Sequence, residues 1–522
     1  MEKSLTDKSL NRGYLWHGGK FHAQISEQIF PEDCSEVRFA SILKESDGCF
    51  RLVLDREHHI FAAVDRIRSL PLFYALHNNA LLLSHDAFEL RSRLKTPGLD
   101  QNALTEFLLA GYTCLGDTLC PGLKQLEAGQ YLVWDKLTQT LEVRDYFIYR
   151  QNFDHPADPL AELDKMHERV FSRLIESAAG RTIVVPLSGG LDSRLIAVML
   201  KRLGYPKVMC YTFGSSLQDE CVTSRKVARF LNLPWTIIET NRRMWYQAYH
   251  SDEMRRYFRF GTNLSSLPHV HDWLAVKQLQ ERKLIPPDAI IVPGHSGGMF
   301  QGADLPLLFE NREEITAREL LDAILKEHYD LWYCPNDRRN KLFGQRVGDQ
   351  LQIPENVKVE IAASIFDEWD WRQRQSKLYV NSLRIYDFFG YDWYLPLWDM
   401  EYIDFWTRVP LQLRMRRELM NQYAKKCQSV PIPAYNDYPL SRRIHNRYAR
   451  MQAGNLPDQR YGRFLDYRNR HDYLFTKVSS LLAPNLAYPD FVNPDLNVLD
   501  ANINALQALY YIRELVSGRL DQ

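Results

Sequence analysis

The sequence predicts an α/β protein organised as two successive domains, and three observations carry that prediction. An apolar strand, Thr182-Ile183-Val184-Val185-Pro186, runs straight into a glycine-rich loop and then a helical pattern. From there β and α patterns alternate with short connections as far as Glu239, which implies a parallel sheet with right-handed crossovers. Ahead of both, the segment 151–159 (Gln-Asn-Phe-Asp-His-Pro-Ala-Asp-Pro) is polar and proline-rich, and divides residues 1–150 from a second unit spanning 160–522.

Each element follows from its local pattern. Tyr131 to Tyr149 is strand-like and closes the first unit; Leu160 to Ala179 reads as a helix. Past the loop, Leu191, Leu195, Met199 and Leu203 recur every four residues with Ile196 and Leu200 beside them, and Gly204 and Pro206 stop the helix. Val208 to Phe213 is the next strand, Asp219 to Leu231 a helix with Val222, Val227 and Phe230 expected inward, and Trp235 to Glu239 a third strand. Ala289 to Pro293 reads as a further strand, and helical patterns dominate from about residue 315 onward.

The loop itself, Ser188-Gly189-Gly190-Leu191-Asp192-Ser193, has the chemistry of a phosphate cradle. Glycines let backbone N–H groups close on an anion, serines add hydroxyl donors, and the following helix offers its positive end. Asp192 would repel phosphate on its own, so it is expected to hold a Mg²⁺ that neutralises the ligand. No Gly-x-x-x-x-Gly-Lys-Ser/Thr motif occurs, so a different nucleotide site is needed. An ordinary glycine turn is the alternative.

Ser-Gly-Gly-Leu-Asp-Ser after a strand resembles the pyrophosphate loop of the ATP-pyrophosphatase superfamily, in its asparagine synthetase and β-lactam synthetase branch. In that family ATP adenylates a carboxylate, pyrophosphate leaves, and an amine displaces AMP to form an amide. The resemblance implies that Leu187, Ser188, Gly189, Gly190, Asp192 and Ser193 grip ATP, that Phe213 lies near the adenine, and that Mg²⁺ accompanies the nucleotide on Asp192. Leu43 to Asp55, Ala63-Val64-Asp65-Arg66, Pro71-Leu72-Phe73-Tyr74, Leu83-Ser84-His85-Asp86 and the stretch Gly111 to Gly129 resemble, in order, the family's glutaminase domain, which implies an Ntn-hydrolase-like α+β sandwich. That glutaminase uses a cysteine at the mature N-terminus as nucleophile. Position 2 here is Glu and the first cysteine is Cys34, so the domain is expected to have lost its reaction.

Gly294-His295-Ser296-Gly297-Gly298 matches the Gly-x-Ser-x-Gly of serine hydrolases, but Gly302 and Pro306 interrupt the helix such an elbow should open. Its place after a strand of the same sheet resembles the synthetase family's second nucleotide loop, which implies ATP contacts from Ser296 and Gly297. Gly298 and Met299 stand where that loop carries an acidic pair, with Asp304 as a substitute. Farther on, the segment Trp393 to Asp399 and the following Glu401 to Trp406 resemble the family's Arg-x-Pro-Phe-Leu-Asp segment and helix. That correspondence places Asp392 on the catalytic glutamate, as a base for the incoming amine, and Tyr394 on the arginine; a structural turn-capping aspartate is the other reading. The family's catalytic lysine has Lys425, Lys426, Arg442 and Arg443 as candidates. Between Pro439 and Lys477 arginines interleave with aromatics, a mixture that suits phosphate and a stacked base or a solvated face.

Composition bounds the partners. Sixty-five basic and 65 acidic residues cancel, so no global field draws nucleic acid or anionic membrane. No run approaches the roughly 20 apolar residues of a membrane span, and the cytoplasm is the expected compartment. Eight scattered cysteines show neither zinc spacing nor a disulfide framework. The expected partners are a small-molecule or peptide carboxylate and an ammonia or amine donor, and a homodimer is left open. Three readings compete: an AMP-forming, ATP-dependent amide ligase, a non-catalytic binding protein on the same scaffold, and a hydrolase at Ser296.

Overall fold

A computed structural model describes residues 10–521 except 26–28, 97, 215, 217–218, 332–335, 427–429 and 431–502. The arginine-aromatic stretch, with Arg442 and Arg443, lies outside the described residues.

The N-terminal part is built on two antiparallel sheets. Strands β1 (Arg12–His17), β2 (Lys20–His22), β3 (Asp47–Asp55), β4 (His59–Val64), β8 (Gln130–Asp135) and β9 (Thr140–Asp145) form the larger sheet in the order β2-β1-β3-β4-β8-β9. Strands β5 (Phe73–His77), β6 (Ala80–Ser84) and β7 (Lys124–Gln125) form the smaller one. Successive strand residues point to opposite faces, and here both faces are apolar. Leu52, Leu54, Phe61, Ala63, Tyr131 and Val133 pack with Phe39, Ile42 and Leu43 of helix α1 (Glu36–Glu45). Val53, Ile60, Ala62, Val64, Leu132 and Trp134 meet Leu72, Leu81 and Leu83 from the smaller sheet's side. Helix α2 (Ala87–Leu94) covers that sheet and is followed by α3 (Gln101–Ala110), so α1, two sheets and α2 stack as the α+β sandwich expected from the resemblance.

Helix α4 (Pro159–Ala178) leads into the second sheet, which is wholly parallel. Its strands are β10 (Ile183–Pro186), β11 (Val208–Gly214), β12 (Trp235–Glu239), β13 (Ile290–Ile291) and β16 (Asp392–Trp393), in the order β12-β11-β10-β13-β16. A small hairpin, β14 (Glu314–Thr316) with β15 (Asn356–Lys358), lies within the helical elaboration. Helices α5 (Leu191–Arg202) and α6 (Asp219–Leu231) make the first crossovers.

Helix α6 corrects one expectation. Val227 is fully buried, but Val222 and Phe230 face solvent. The buried stripe is instead Cys221, Ser224, Ala228 and Leu231, small side chains at helical spacing that bring the helix close to β11; Ser224 Oγ lies 2.8 Å from Thr212 Oγ. Among the described residues no helix is long and apolar enough to cross a membrane.

The two parts share one continuous core, and their seam is sealed by a π-helical segment, Asp370–Tyr379. Its sequence, Asp-Trp-Arg-Gln-Arg-Gln-Ser-Lys-Leu-Tyr, reads as a solvated face, yet residues 370–377 are buried. Buried charge needs partners. Lys377 Nζ donates to Glu127 of the N-terminal sandwich at 2.7 Å and to the Thr113 carbonyl, Trp371 donates to the Arg66 carbonyl, and Arg374 pairs with Asp370 at 2.7 Å.

Candidate functional site

The carboxyl end of the parallel sheet gathers two glycine loops. Leu187 leaves β10 fully enclosed; its N–H donates to the Tyr211 carbonyl and its own carbonyl accepts from Thr212 Oγ at 2.7 Å, so β11 clamps the base of the first loop. The loop then closes on itself. Ser188 N–H donates to Ser193 Oγ at 3.0 Å, the two hydroxyls lie 2.9 Å apart, and Gly190 N–H donates to Ser188 Oγ at 3.1 Å. Gly190 caps α5 without a side-chain acceptor, so the first-turn N–H groups of a twelve-residue helix keep their capacity for an anion. Phe213, half-buried near the end of β11, pairs in register with Ile238.

The second loop docks on the first through glycines. A Cβ on Gly294 would stand 2.7 Å from the Ser193 nitrogen, and one on Gly297 would stand 2.5 Å from Leu397 and 3.2 Å from Asp192 Oδ1. Backbone meets backbone here because no side chain fits between. Ser296 holds a left-handed φ of 60°, unusual away from glycine, and its buried Oγ has no hydrogen-bond partner. The residue before it, His295, lies 3.0 Å through Nδ1 from Ser382 Oγ.

Asp192 is held from the far side. Its Oδ1 accepts from Arg417 Nη2 at 2.6 Å and from Gln301 Nε2 at 3.0 Å, and Gln301 in turn bonds Arg417 Nε and the Tyr402 hydroxyl. Arg416 and Arg417 both adopt left-handed backbone, φ 54° and 60°, immediately before the helix Glu418–Lys426. Two adjacent non-glycine residues in that region cost on the order of 1–3 kcal/mol each. Their effect is to turn the Arg417 guanidinium onto Asp192 while Arg416 is tied outward to Glu310.

The sequence missed this arginine: it lies 225 positions from its partner, in a stretch without a motif. Lys425 and Lys426 are exposed at the end of their helix. Asp304 is engaged elsewhere, 3.4 Å from Arg374 and accepting from Gln375 at 3.2 Å. A side chain at Gly298 would meet the Ala303 Cβ at 3.1 Å and face Arg417 Nη1 at 3.8 Å, so the acidic pair's place is a tight position beside a cation.

Asp392 is not brought to this end of the sheet. In the parallel register it is level with Ile290, and Ile290 with Ile183, at the amino ends of the strands. Ser188 lies five residues farther along, roughly 16 Å at the rise of a strand. The Asp392 carboxylate points to solvent, 68% exposed, and pairs with Arg181 at 2.6 Å. Tyr394, placed on the family's arginine by segment likeness, is buried and stacks on Tyr14 with 5.0 Å between ring centres. The segment likeness put the residue on the right strand and at the wrong end.

For Mg²⁺ the first loop offers Asp192 and, beside it, Glu220, whose carboxyl group accepts from the Gly189 N–H. Among the described residues no three His, Cys, Asp or Glu side chains are grouped as a metal site. Mg²⁺ commonly uses one or two carboxylates together with substrate phosphates, and Asp192 fits that pattern for an ion carried in by a nucleotide.

Residues 35–147 match the family model of the glutamine amidotransferase domain, and residues 173–270 match that of asparagine synthase. No curated protein matches. Among solved structures, the allosteric regulatory enzyme of purine biosynthesis is 11% identical over 51% of this chain and 46% of its own, at a TM-score of 0.15. Glutamine phosphoribosylpyrophosphate amidotransferase from B. subtilis, complexed with ADP and GMP, is 8% identical over 50% and 51%, also at 0.15. The chain thus spans about half the length of each, and scores this low carry no argument. An amidotransferase-type match followed by an asparagine synthase-type match is the combination of an asparagine synthetase-like protein.

Proposed function

We propose that the chain is an ATP-dependent, AMP-forming amide ligase with no glutaminase of its own, divided at 151–159 into a non-catalytic sandwich and a synthetase unit. The carrying observation is the docking of two glycine loops at the open end of α5 with Arg417 beside them. A carboxylate oxygen attacks the α-phosphorus of ATP, and the bond to the β-phosphate oxygen breaks. First-turn N–H groups of α5 and the Arg417 guanidinium stabilise the charge gathering on pyrophosphate, while a Mg²⁺ on Asp192 would supply further neutralisation. An amine or ammonia then attacks the acyl carbon and AMP leaves. Holding both reactants against fixed donors is the main contribution of such a site.

The absence of glutaminase is supported by the thiols. Cys34, Cys49, Cys114, Cys120, Cys210 and Cys221 are all buried, and burial pushes Cys34 and Cys49 up, away from the thiolate a nucleophile requires. A hydrolase at Ser296 is disfavoured because among the described residues no base hydrogen-bonds its Oγ. Gly298 and Met299, in place of two acids, favour a second reading, a nucleotide-binding protein without turnover.

Phosphorus NMR of ATP with carboxylates (L-aspartate, sugar acids, short peptides) and ammonia tests the proposal. AMP and pyrophosphate are expected; ADP and orthophosphate would overturn it, and bound but unconverted ATP across the panel would favour the second reading.

A further inference from the structure

The second loop carries an imidazole that the nucleotide chemistry leaves unused. Ser382 has a single hydroxyl proton, and we assign it to the shorter of its two contacts, the Tyr379 carbonyl at 2.5 Å. Toward His295 Nδ1, 3.0 Å away, the same oxygen can only accept. The ring proton of His295 therefore sits on Nδ1, and Nε2 presents a lone pair with no protein partner among the described residues. Its ring neighbour is His269, edge-on at 6.2 Å between centres, and His269 Nε2 shares a 2.8 Å hydrogen bond with His271 Nδ1. No carboxylate or cation among the described residues pairs with His295. Burial holds its conjugate acid down at about 4, and holds that of His269 well below the usual range, so both rings are neutral at pH 7.

Chain position brings this lone pair to the chemistry. Gly294, on one side of His295, packs against the Ser193 nitrogen, and Gly297, two residues beyond it, packs against Asp192. The backbone on both sides of the imidazole is thus docked on the first loop, whereas Asp392 is at the far end of the sheet.

We propose that His295 Nε2 receives the proton from the attacking nitrogen in the amide-forming step, with Ser382 as the positioning residue that fixes the tautomer. The inference rests on the ligase reading above. The nitrogen lone pair forms the C–N bond, one N–H proton passes to Nε2, the acyl C–O bond to AMP breaks with its electrons on the phosphate oxygen, and the imidazolium then loses its proton to water. A neutral imidazole offers no charge to an ammonium ion, so the substrate class is an uncharged amine or ammonia.

Two measurements test this on the full chain. Long-range nitrogen-proton NMR of ¹⁵N-histidine-labelled protein reads each ring's tautomer: His295 is expected as the Nδ1–H form, shifting to a mixture in Ser382→Ala and restored in Ser382→Thr. An Nε2–H form in the unsubstituted protein would overturn the proposal. The second uses hydroxylamine as nitrogen probe with L-aspartate, glucuronate and short peptides, following pyrophosphate release and hydroxamate together. His295→Gln should cut hydroxamate by about 100-fold, the scale of a lost general base, while pyrophosphate–ATP exchange stays within about threefold. Equal loss in both steps would overturn the proposal alone. If the unsubstituted protein releases no pyrophosphate, the ligase reading falls and takes the proposal with it. Ser382→Ala, which removes only a hydroxyl, gives the same contrast if His295→Gln proves unstable.

Discussion

In the loop after β10 the two serine hydroxyls are spent within the loop, each tied to the other and to a backbone N–H. In the loop after β13 the reverse holds: among the described residues Ser296 Oγ has no hydrogen-bond partner, His295 keeps one nitrogen open, and a non-glycine residue sits at positive φ. The first loop is a prebuilt frame; the second is a set of unspent groups pressed against it. Strain and unsatisfied polarity concentrate where a ligand is to supply the missing partner. Five substitutions would break or sharpen this contrast.

The largest effect is expected from Gly294→Ala. Its Cβ would meet the Ser193 nitrogen at 2.7 Å, a backbone atom that cannot swing aside, so the loops must part. Misplacement of about 1 Å costs on the order of 100-fold, and ATP affinity measured by calorimetry should fall by that much. An unchanged affinity would show that the two loops act independently.

Asp192→Asn comes next. Losing one fixed electrostatic partner should slow pyrophosphate release on the order of 100-fold without unfolding the protein. Arg417→Gln should do the same through the same pair, so the double variant should be little worse than the worse single one. Additive losses would mean that Asp192 and Arg417 act on the phosphates independently and not as one pair.

These pairings also show what a sequence discloses. The glycine loop after β10 is legible because its pattern is local: six consecutive residues after an apolar strand make it. The parallel-sheet class is legible because alternating strand and helix patterns decide it, and the α+β sandwich through the resemblance of the segments between Leu43 and Gly129 to a glutaminase domain. Arg417, Gln301 and Ser382 are not, since each joins the site across roughly a hundred residues or more and no local pattern marks them. The π-helical segment misleads in the other direction. Arg372, Arg374 and Lys377 look solvated, and only the opposing charges of Asp145, Asp370 and Glu127 explain why they are buried.

Ser296→Gly separates function from stability at the second loop. Glycine adopts φ 60° without penalty and removes a buried, unpartnered hydroxyl, so stability in urea should rise by about 1–3 kcal/mol. Turnover should fall, since the hydroxyl waiting for a ligand oxygen is gone. A loss of stability would instead reveal that Ser296 is satisfied in the folded protein.

The smallest effect is expected from Asp392→Asn, and it tests the contrast between the two ends of the sheet. The carboxylate is 68% exposed and pairs with Arg181, itself one-third exposed, so solvent screens the pair and its contribution to stability is about 0–1 kcal/mol. The substitution keeps the side chain's shape and leaves the ladder between β13 and β16 untouched, because that ladder is made by backbone groups. Pyrophosphate release and amide formation should therefore both stay within about twofold of the unsubstituted protein, against the far larger loss that removal of a true general base produces. A selective drop of tenfold or more in amide formation would require the amino end of β16 to reach the acyl centre in the working enzyme, a displacement larger than the whole length of β10.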